Sequence, residues 1–414
     1  MTMLLPVRRG SLWERLRTTE SFDPVLAAAR ASPWLAHLSV DTTSACDLAC
    51  EGCYYHPDID TARPMATAEA VLNALGCAYE RLGTRLLVVA GKEPFLNLSK
   101  LWGILEGARE GRPDLDVGLI TNGRHLHRHW LKLEALSDRE DLQFIDVSFD
   151  SGYAEEHDAV RRRQGTFQLS FDALCEAVER LPKLRVGTSC VLRQGNSEGL
   201  LELIRRTAKL SVAHWVTPLL PPPFTTEPPL PVGTVALFIR RLEQLLRGEL
   251  SDNAIDVTVS LPSVYLYDLV DSDMIGDGEL CETVEGLPYI DRQVGNSRLR
   301  CALGVVAEAA WRHGRILADG SYLPHVYFLQ TAEPHHYAVG QIQDTSMVDL
   351  YERSIAPGSL FEQVIASRAN HACRNRPCWG MCFGGWSLAE NTLLNHQALT
   401  EKPRACPRPD QDHQ

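Results

Sequence analysis

Cys46-Asp-Leu-Ala-Cys50-Glu-Gly-Cys53-Tyr54-Tyr55 is the stretch that decides how this chain is read. It follows directly on an apolar run, residues 38–40, that reads as a strand, so three thiols share one loop at that strand's carboxyl end. Barrels of parallel strands carry their active sites at that face. Three soft ligands, rather than four, leave one iron of a four-iron cluster without a protein ligand and open to a substrate or cofactor. A structural zinc site is one alternative, but zinc wants four ligands, and His56 would have to supply the fourth. Cysteines with no metal role are the other.

Outward from that loop, short runs rich in Val, Ile and Leu alternate with stretches of helical periodicity between about residues 37 and 217. Strands are expected at 38–40, 86–90, 117–121, 144–149, 186–192 and 214–216, with helices such as 68–82 and 197–210 between them. Parallel strands joined by right-handed crossovers follow. Pro218, Pro221, Pro222 and Pro223, then Pro228, Pro229 and Pro231, can continue neither a helix nor a central strand and mark the exit from the barrel. Residues 232–248 read as one more amphipathic helix, and the rest as irregular chain punctuated by cysteines. The expected fold is α/β, a partial (βα)6 TIM-like barrel at 37–250, with an N-terminal extension at 1–36 and a smaller cysteine-rich domain at 251–414.

The bulk properties narrow the partners. The chain has 414 residues, 44% hydrophobic and 23% charged, which is the composition of an ordinary globular protein long enough for more than one core. A net charge of -12 argues against a nucleic-acid partner, whose binding needs clustered Lys and Arg. No run of about eighteen apolar residues points to a membrane, and Met1 to Gly10 has only a short apolar patch before Arg8 and Arg9, so a cytoplasmic location is expected. In that reducing setting twelve cysteines are more often metal ligands than disulfides. Cys77, Cys175 and Cys190 fall within helix or strand patterns and read as small core residues, and Cys281 has no evident partner.

Further motifs run in order along the expected strands. Gly91-Lys-Glu-Pro94 follows the second and Thr121-Asn-Gly123 ends the third. Val147-Ser-Phe-Asp-Ser151 with His157-Asp158 and Gly165-Thr-Phe167 comes next, and Leu192-Arg-Gln-Gly-Asn196 follows the fifth. Together with the Cys-x3-Cys-x2-Cys loop they resemble the radical S-adenosylmethionine (radical SAM) superfamily, and the resemblance covers essentially the whole chain. It implies a 4Fe-4S cluster on Cys46, Cys50 and Cys53 whose open iron binds the methionine moiety of S-adenosylmethionine. It also implies cofactor contacts from Gly91, where backbone approaches closely, from Glu93 to the cofactor amino group, and from Asn122, Ser148 and Asn196. Lys92 departs from the second glycine of the family's Gly-Gly-Glu-Pro motif. It either points away from the cofactor or adds positive charge near it.

Cys301, Ile316-Leu-Ala-Asp-Gly320-Ser-Tyr-Leu-Pro-His325, Val339-Gly-Gln-Ile342, the group Cys373, Cys378 and Cys382, and finally Cys406 resemble the C-terminal domain called SPASM, or its shortened form, twitch. The resemblance implies one auxiliary 4Fe-4S cluster on cysteines among Cys301, Cys373, Cys378, Cys382 and Cys406. His325 stands where the family has a cysteine, and Asn370 where a Cys-x2-Cys pair would begin. A second cluster using His325 and a zinc site on the last four cysteines are the alternatives. Relatives draw electrons from a flavodoxin- or ferredoxin-type donor. Relatives of this kind either modify ribosomally made peptides or oxidise and epimerise aminocyclitols, sugars and nucleoside precursors, and the incomplete ligand set tilts the expectation to the second class. A catalytically silent iron-sulfur electron carrier is the reading from a different class.

Overall fold

In the computed structural model the described residues are 5–6, 27, 30–57, 62–220, 224–225, 227–262, 265, 269, 274, 280–282, 288–304, 312–324, 329–330, 334–367, 370 and 372–374. Strands β1 (Leu5–Pro6), β2 (His37–Asp41), β3 (Leu86–Ala90), β4 (Asp116–Thr121), β5 (Phe144–Phe149), β6 (Arg185–Leu192) and β7 (Val212–Pro218) come first in the chain. The six strands expected between residues 37 and 217 are β2 to β7, and each pairs parallel with the next.

Alternation explains why these runs are strands. Leu38 and Val40, Leu87 and Val89, Val117 and Leu119, and Ile145, Val147 and Phe149 point to one face and are buried in a single core. That core also takes Leu75, Ala78, Ile104, Leu133, Leu174 and Leu203 from the intervening helices. The helices are α1 (Ala68–Arg81), α2 (Leu98–Gly107), α3 (Trp130–Asp138), α4 (Ala154–Arg161), α5 (Thr166–Arg180), α6 (Ser197–Thr207) and α7 (Thr234–Arg247). Two start on side-chain caps: Thr67 Oγ1 accepts from Ala70 N at 3.1 Å, and Asn97 Oδ1 accepts from Lys100 N at 3.3 Å.

Past α7 the chain differs from the expected irregular segment. Strands β8 (Asp256–Pro262), β9 (Leu280–Glu282), β10 (Pro288–Val294), β11 (Ser297–Gly304), β12 (His313–Ile316) and β13 (Tyr322–Leu323) join the same sheet. Its order is β1-β9-β10-β11-β8-β7-β6-β5-β4-β3-β2-β12-β13. β8 extends the parallel run beyond β7, β11 adds to β8, and β12 lies parallel to β2 at the other side. Within Asp256-Val-Thr-Val-Ser-Leu-Pro262 the buried residues are Val257, Val259 and Leu261, a period-two pattern that needs no helix beside it in sequence to be a strand. β12 is four residues long and contains Gly314, so it carries little strand signal of its own. Helices α8 (Met347–Ile355) and α9 (Leu360–Ser367) are the last of the described α-helices. Among the described residues no helix is long and apolar enough to cross a membrane.

Candidate active site

The carboxyl ends of β2, β3, β4, β5 and β6 bring the sequence motifs to one rim. Gly91 follows β3 at φ +131°, and a Cβ there would fall 2.9 Å from the carbonyl oxygen of Thr43, so only glycine lets this turn approach the chain leading to Cys46. The two segments are then joined by backbone hydrogen bonds, Lys92 N to Thr43 O at 3.4 Å and Glu93 N to Ala45 O at 3.1 Å. The cysteine loop is thus seated on the Gly91 turn. Lys92 points its ammonium towards the Tyr55 ring, 5.9 Å from the centroid.

Glu93 is fully buried. Its Oε1 accepts from Thr121 Oγ1 at 2.8 Å and Phe95 N at 3.2 Å, and its Oε2 accepts from Asn122 N at 2.9 Å. The side chain therefore pins the Gly91 turn to the end of β4. Burial pushes its carboxyl up to about 7 against those three donors. Asn122 in turn donates from Nδ2 to Asp47 Oδ1 at 3.1 Å, inside the cysteine loop.

Asn196 has its amide engaged locally: Nδ2 donates to Val191 O and Asp150 O at 2.8 and 2.9 Å, and Oδ1 accepts from Arg193 N at 2.8 Å. It shapes the loop after β6 and ties it to the end of β5. Ser148 is half-buried on β5, level with Ser189 of β6, and lies on the face opposite the helix-covered core.

The His157-Asp158 and Gly165-Thr-Phe167 motifs meet as a structural device. His157 is buried, accepts from Asp150 N at 3.2 Å through Nδ1, and is held down to about 4 by burial, so its imidazole is neutral. Asp158 accepts from Gly165 N at 2.6 Å and Phe167 N at 2.7 Å, capping α5.

Sequence reasoning did not find the charged groups around the loop. Asp47 bonds Arg124, faces His125 Nε2 at 3.2 Å and lies 3.7 Å from Arg163 Nη1. Asp150 holds Arg161 Nε at 2.6 Å and lies 3.8 Å from Arg193 Nε. Arg193 also pairs with Glu227 at 2.6 Å. Gly52 takes φ +63°, and a Cβ there would fall 2.5 Å from Arg193 Nη1 and 2.8 Å from Glu227 Oε2, so the ends of those side chains would have to shift. Behind the loop, buried Arg315 bridges Asp41 and the hydroxyls of Tyr54 and Tyr55. The only sequence signal for these contacts was position: Asp47 lies within the cysteine spacing, and Asp150 and Arg161 flank His157.

Cys46, Cys50 and Cys53 are half-buried free thiols on this loop. Leu48 N donates to Cys46 Sγ at 3.4 Å, the kind of amide contact that a thiolate accepts. Burial pushes the Cys46 thiol up to about 12 and raises Cys50, partly offset by Arg161. Soft donors on a glycine-containing loop, with amide and guanidinium hydrogens beside the sulfurs, fit an iron-sulfur cluster. Among the described residues no group of three or more His, Cys, Asp or Glu side chains is gathered as for one metal ion.

Cys301 lies on β11 and Cys373 near the end of the described chain, both buried in the main core. Cys378, Cys382, Cys406 and His325 lie outside the described residues. Cys190 is a core residue as expected and Cys77 packs at the core's edge, whereas Cys175 is partly exposed on α5.

Residues 40–207 match the family model described as Radical SAM superfamily. No curated protein matches the chain significantly. Among solved structures the chain is similar to "Native anSMEcpe with bound AdoMet", at 17% identity and a TM-score of 0.59 over 90% of this chain and 94% of that one. It is also similar to "Native anSMEcpe with bound AdoMet and Cp18Cys peptide", at 18% identity and 0.58 over 89% and 94%. At such identities the likeness is one of fold. The family match thus spans the strands and helices that carry the cysteine loop, and the solved structures share the fold.

Proposed function

We propose that this chain is a radical SAM enzyme that removes one hydrogen from a small polar natural-product precursor, an aminocyclitol, sugar or nucleoside, and so oxidises or epimerises it. The observation that carries the radical SAM reading is the seating of the three-cysteine loop on the Gly91 turn, within the residues that match the family model. When bound at Cys46, Cys50 and Cys53, a 4Fe-4S cluster with S-adenosylmethionine supplies, on one-electron reduction, methionine and a 5'-deoxyadenosyl radical.

The chain's own residues then have distinct tasks. The Gly91 turn, packed beside the cysteine loop, would take the methionine end of the cofactor. Ser148 offers a hydroxyl on the same rim, and Glu93, Asn122 and Asn196 hold the loops that present it. A rigid rim fixes which substrate hydrogen lies against the radical carbon, which is the protein's share of the catalysis.

The region 251–414 is proposed to hold one auxiliary 4Fe-4S cluster through Cys301, Cys373, Cys378, Cys382 or Cys406, with a second, using His325, as the variant. A flavodoxin- or ferredoxin-type protein of the cytoplasm would supply the electron. The small-molecule reading rests on the incomplete cysteine set. A peptide substrate is the second reading, supported by the fold shared with a structure solved with a bound peptide.

Anaerobically reconstituted protein, given dithionite and S-adenosylmethionine, is expected to form 5'-deoxyadenosine. Panels of aminocyclitols, sugars and nucleosides should raise that yield more than cysteine- and serine-containing peptides do. Stimulation by peptides alone would replace the first reading with the second. No 5'-deoxyadenosine from iron-loaded protein would leave an electron carrier.

A further inference from the structure

Arg161 closes α4, and Val160, Arg161 and Arg163 fasten that helix end to the cysteine loop. Glu51 N donates to Val160 O at 2.8 Å, Arg163 Nη1 donates to Asp47 O at 3.0 Å, and Arg161 Nη1 stands 3.9 Å from Cys50 Sγ. Between them Arg162 takes a left-handed conformation, φ 52°, which turns the chain so that its neighbours, Arg161 and Arg163, both contact the loop. Arg161 has little freedom: its side chain is 13% exposed, and its Nε donates to Asp150 Oδ2 at 2.6 Å. Asp150 is 3% exposed and its own amide donates to neutral His157. A guanidinium is thereby held by a carboxylate with one arm left over, and that arm meets a sulfur.

Buried Asp150 needs a cation beside it, and Arg161 supplies one through Nε while its Nη1 reaches the sulfur. A fixed positive charge with an N–H donor against one ligating sulfur has a definite effect on a cluster, whose reduction potential depends on net charge and on hydrogen bonds to its sulfurs. Uptake of one electron from an outside reductant adds one negative charge to the cluster. Arg161 favours that state over the oxidised one, with Asp150 offsetting part of its charge.

We propose that Arg161 is a positioning residue that raises the reduction potential of the cluster on Cys46, Cys50 and Cys53, easing entry of the electron that starts turnover. The inference rests on the reading of those cysteines as cluster ligands.

Its test is an anaerobic, EPR-monitored redox titration of the full-length reconstituted protein without S-adenosylmethionine, with iron counted in each sample. Arg161→Gln is expected to keep its iron and to show about a tenfold lower ratio of reduced to oxidised cluster at any fixed potential, a downward shift of 59 mV for a one-electron couple. Arg161→Lys, which keeps the charge, should fall within about threefold of the parent, roughly 28 mV. An iron-loaded Arg161→Gln protein with the parent's potential overturns the proposal, and so does a variant whose defect is confined to binding S-adenosylmethionine. Should Arg161→Gln lose its cluster, Arg161→Met is titrated instead. Loss of the cluster from both assigns Arg161 to folding the loop and also overturns the proposal. A parent protein that takes up no iron would remove the cluster assignment itself, an outcome distinct from an iron-loaded parent and variant that share one potential.

Discussion

Replacing Glu93 with Gln should produce a stability deficit that disappears as the pH is raised. The parent carboxyl accepts from Phe95 N and Thr121 Oγ1 on one oxygen and from Asn122 N on the other. Gln keeps the first oxygen but turns an NH2 group towards Asn122 N, leaving one buried donor without an acceptor, which costs about 1–3 kcal/mol. The second contribution comes from ionisation. Burial raises the folded-state carboxyl from 4.5 to about 7, so the parent's contribution to stability is complete below about 4.5 and is lost as the pH rises through about 7. A difference of that size corresponds to roughly 3 kcal/mol, whereas Gln does not titrate. The deficit of Glu93→Gln should therefore be about 1–3 kcal/mol near pH 5 and close to zero, or reversed, at pH 8. Anaerobic urea unfolding followed by Trp fluorescence at both pH values measures it. A deficit that stays constant or grows with pH would refute the account of Glu93 as a buried pin whose charge is opposed by desolvation.

Gly91→Ala combines positive φ with a Cβ 2.9 Å from Thr43 O. It should lower the melting temperature by several degrees and reduce reconstituted iron, because the turn that seats the cysteine loop must move. Asp41→Asn leaves Arg315, only 4% exposed, without its charge partner, and should cost about 3–5 kcal/mol in thermal or urea unfolding. Asp158→Ala removes both acceptors at the start of α5 and should cost about 1–2 kcal/mol without changing the iron count.

Strands β2 to β7 were readable because each is a short apolar run of five to eight positions set between stretches of helical periodicity, with one face in the core. The further strands were not, for different reasons. β8 alternates but follows the proline segment that looked like an exit, and β12 is too short and glycine-containing to register. At the site, spacing alone located the cysteine loop, because ligand geometry fixes sequence separation. The side-chain roles were less legible. Glu93 and Asn196 sit at the expected loops, yet their hydrogen bonds run inward to backbone, which depends on where a side chain turns after its loop is placed. The Asp47, Asp150, Arg161 and Arg193 contacts join residues as many as 116 positions apart, a distance no local pattern reports.

The measurement that bears most directly on the account is iron and sulfide content with 5'-deoxyadenosine yield, in the anaerobically reconstituted parent and in a variant with Cys46, Cys50 and Cys53 all changed to Ala. The account predicts about four fewer irons in the variant and 5'-deoxyadenosine from the parent alone. Equal iron in the two proteins, or equal 5'-deoxyadenosine, would contradict it.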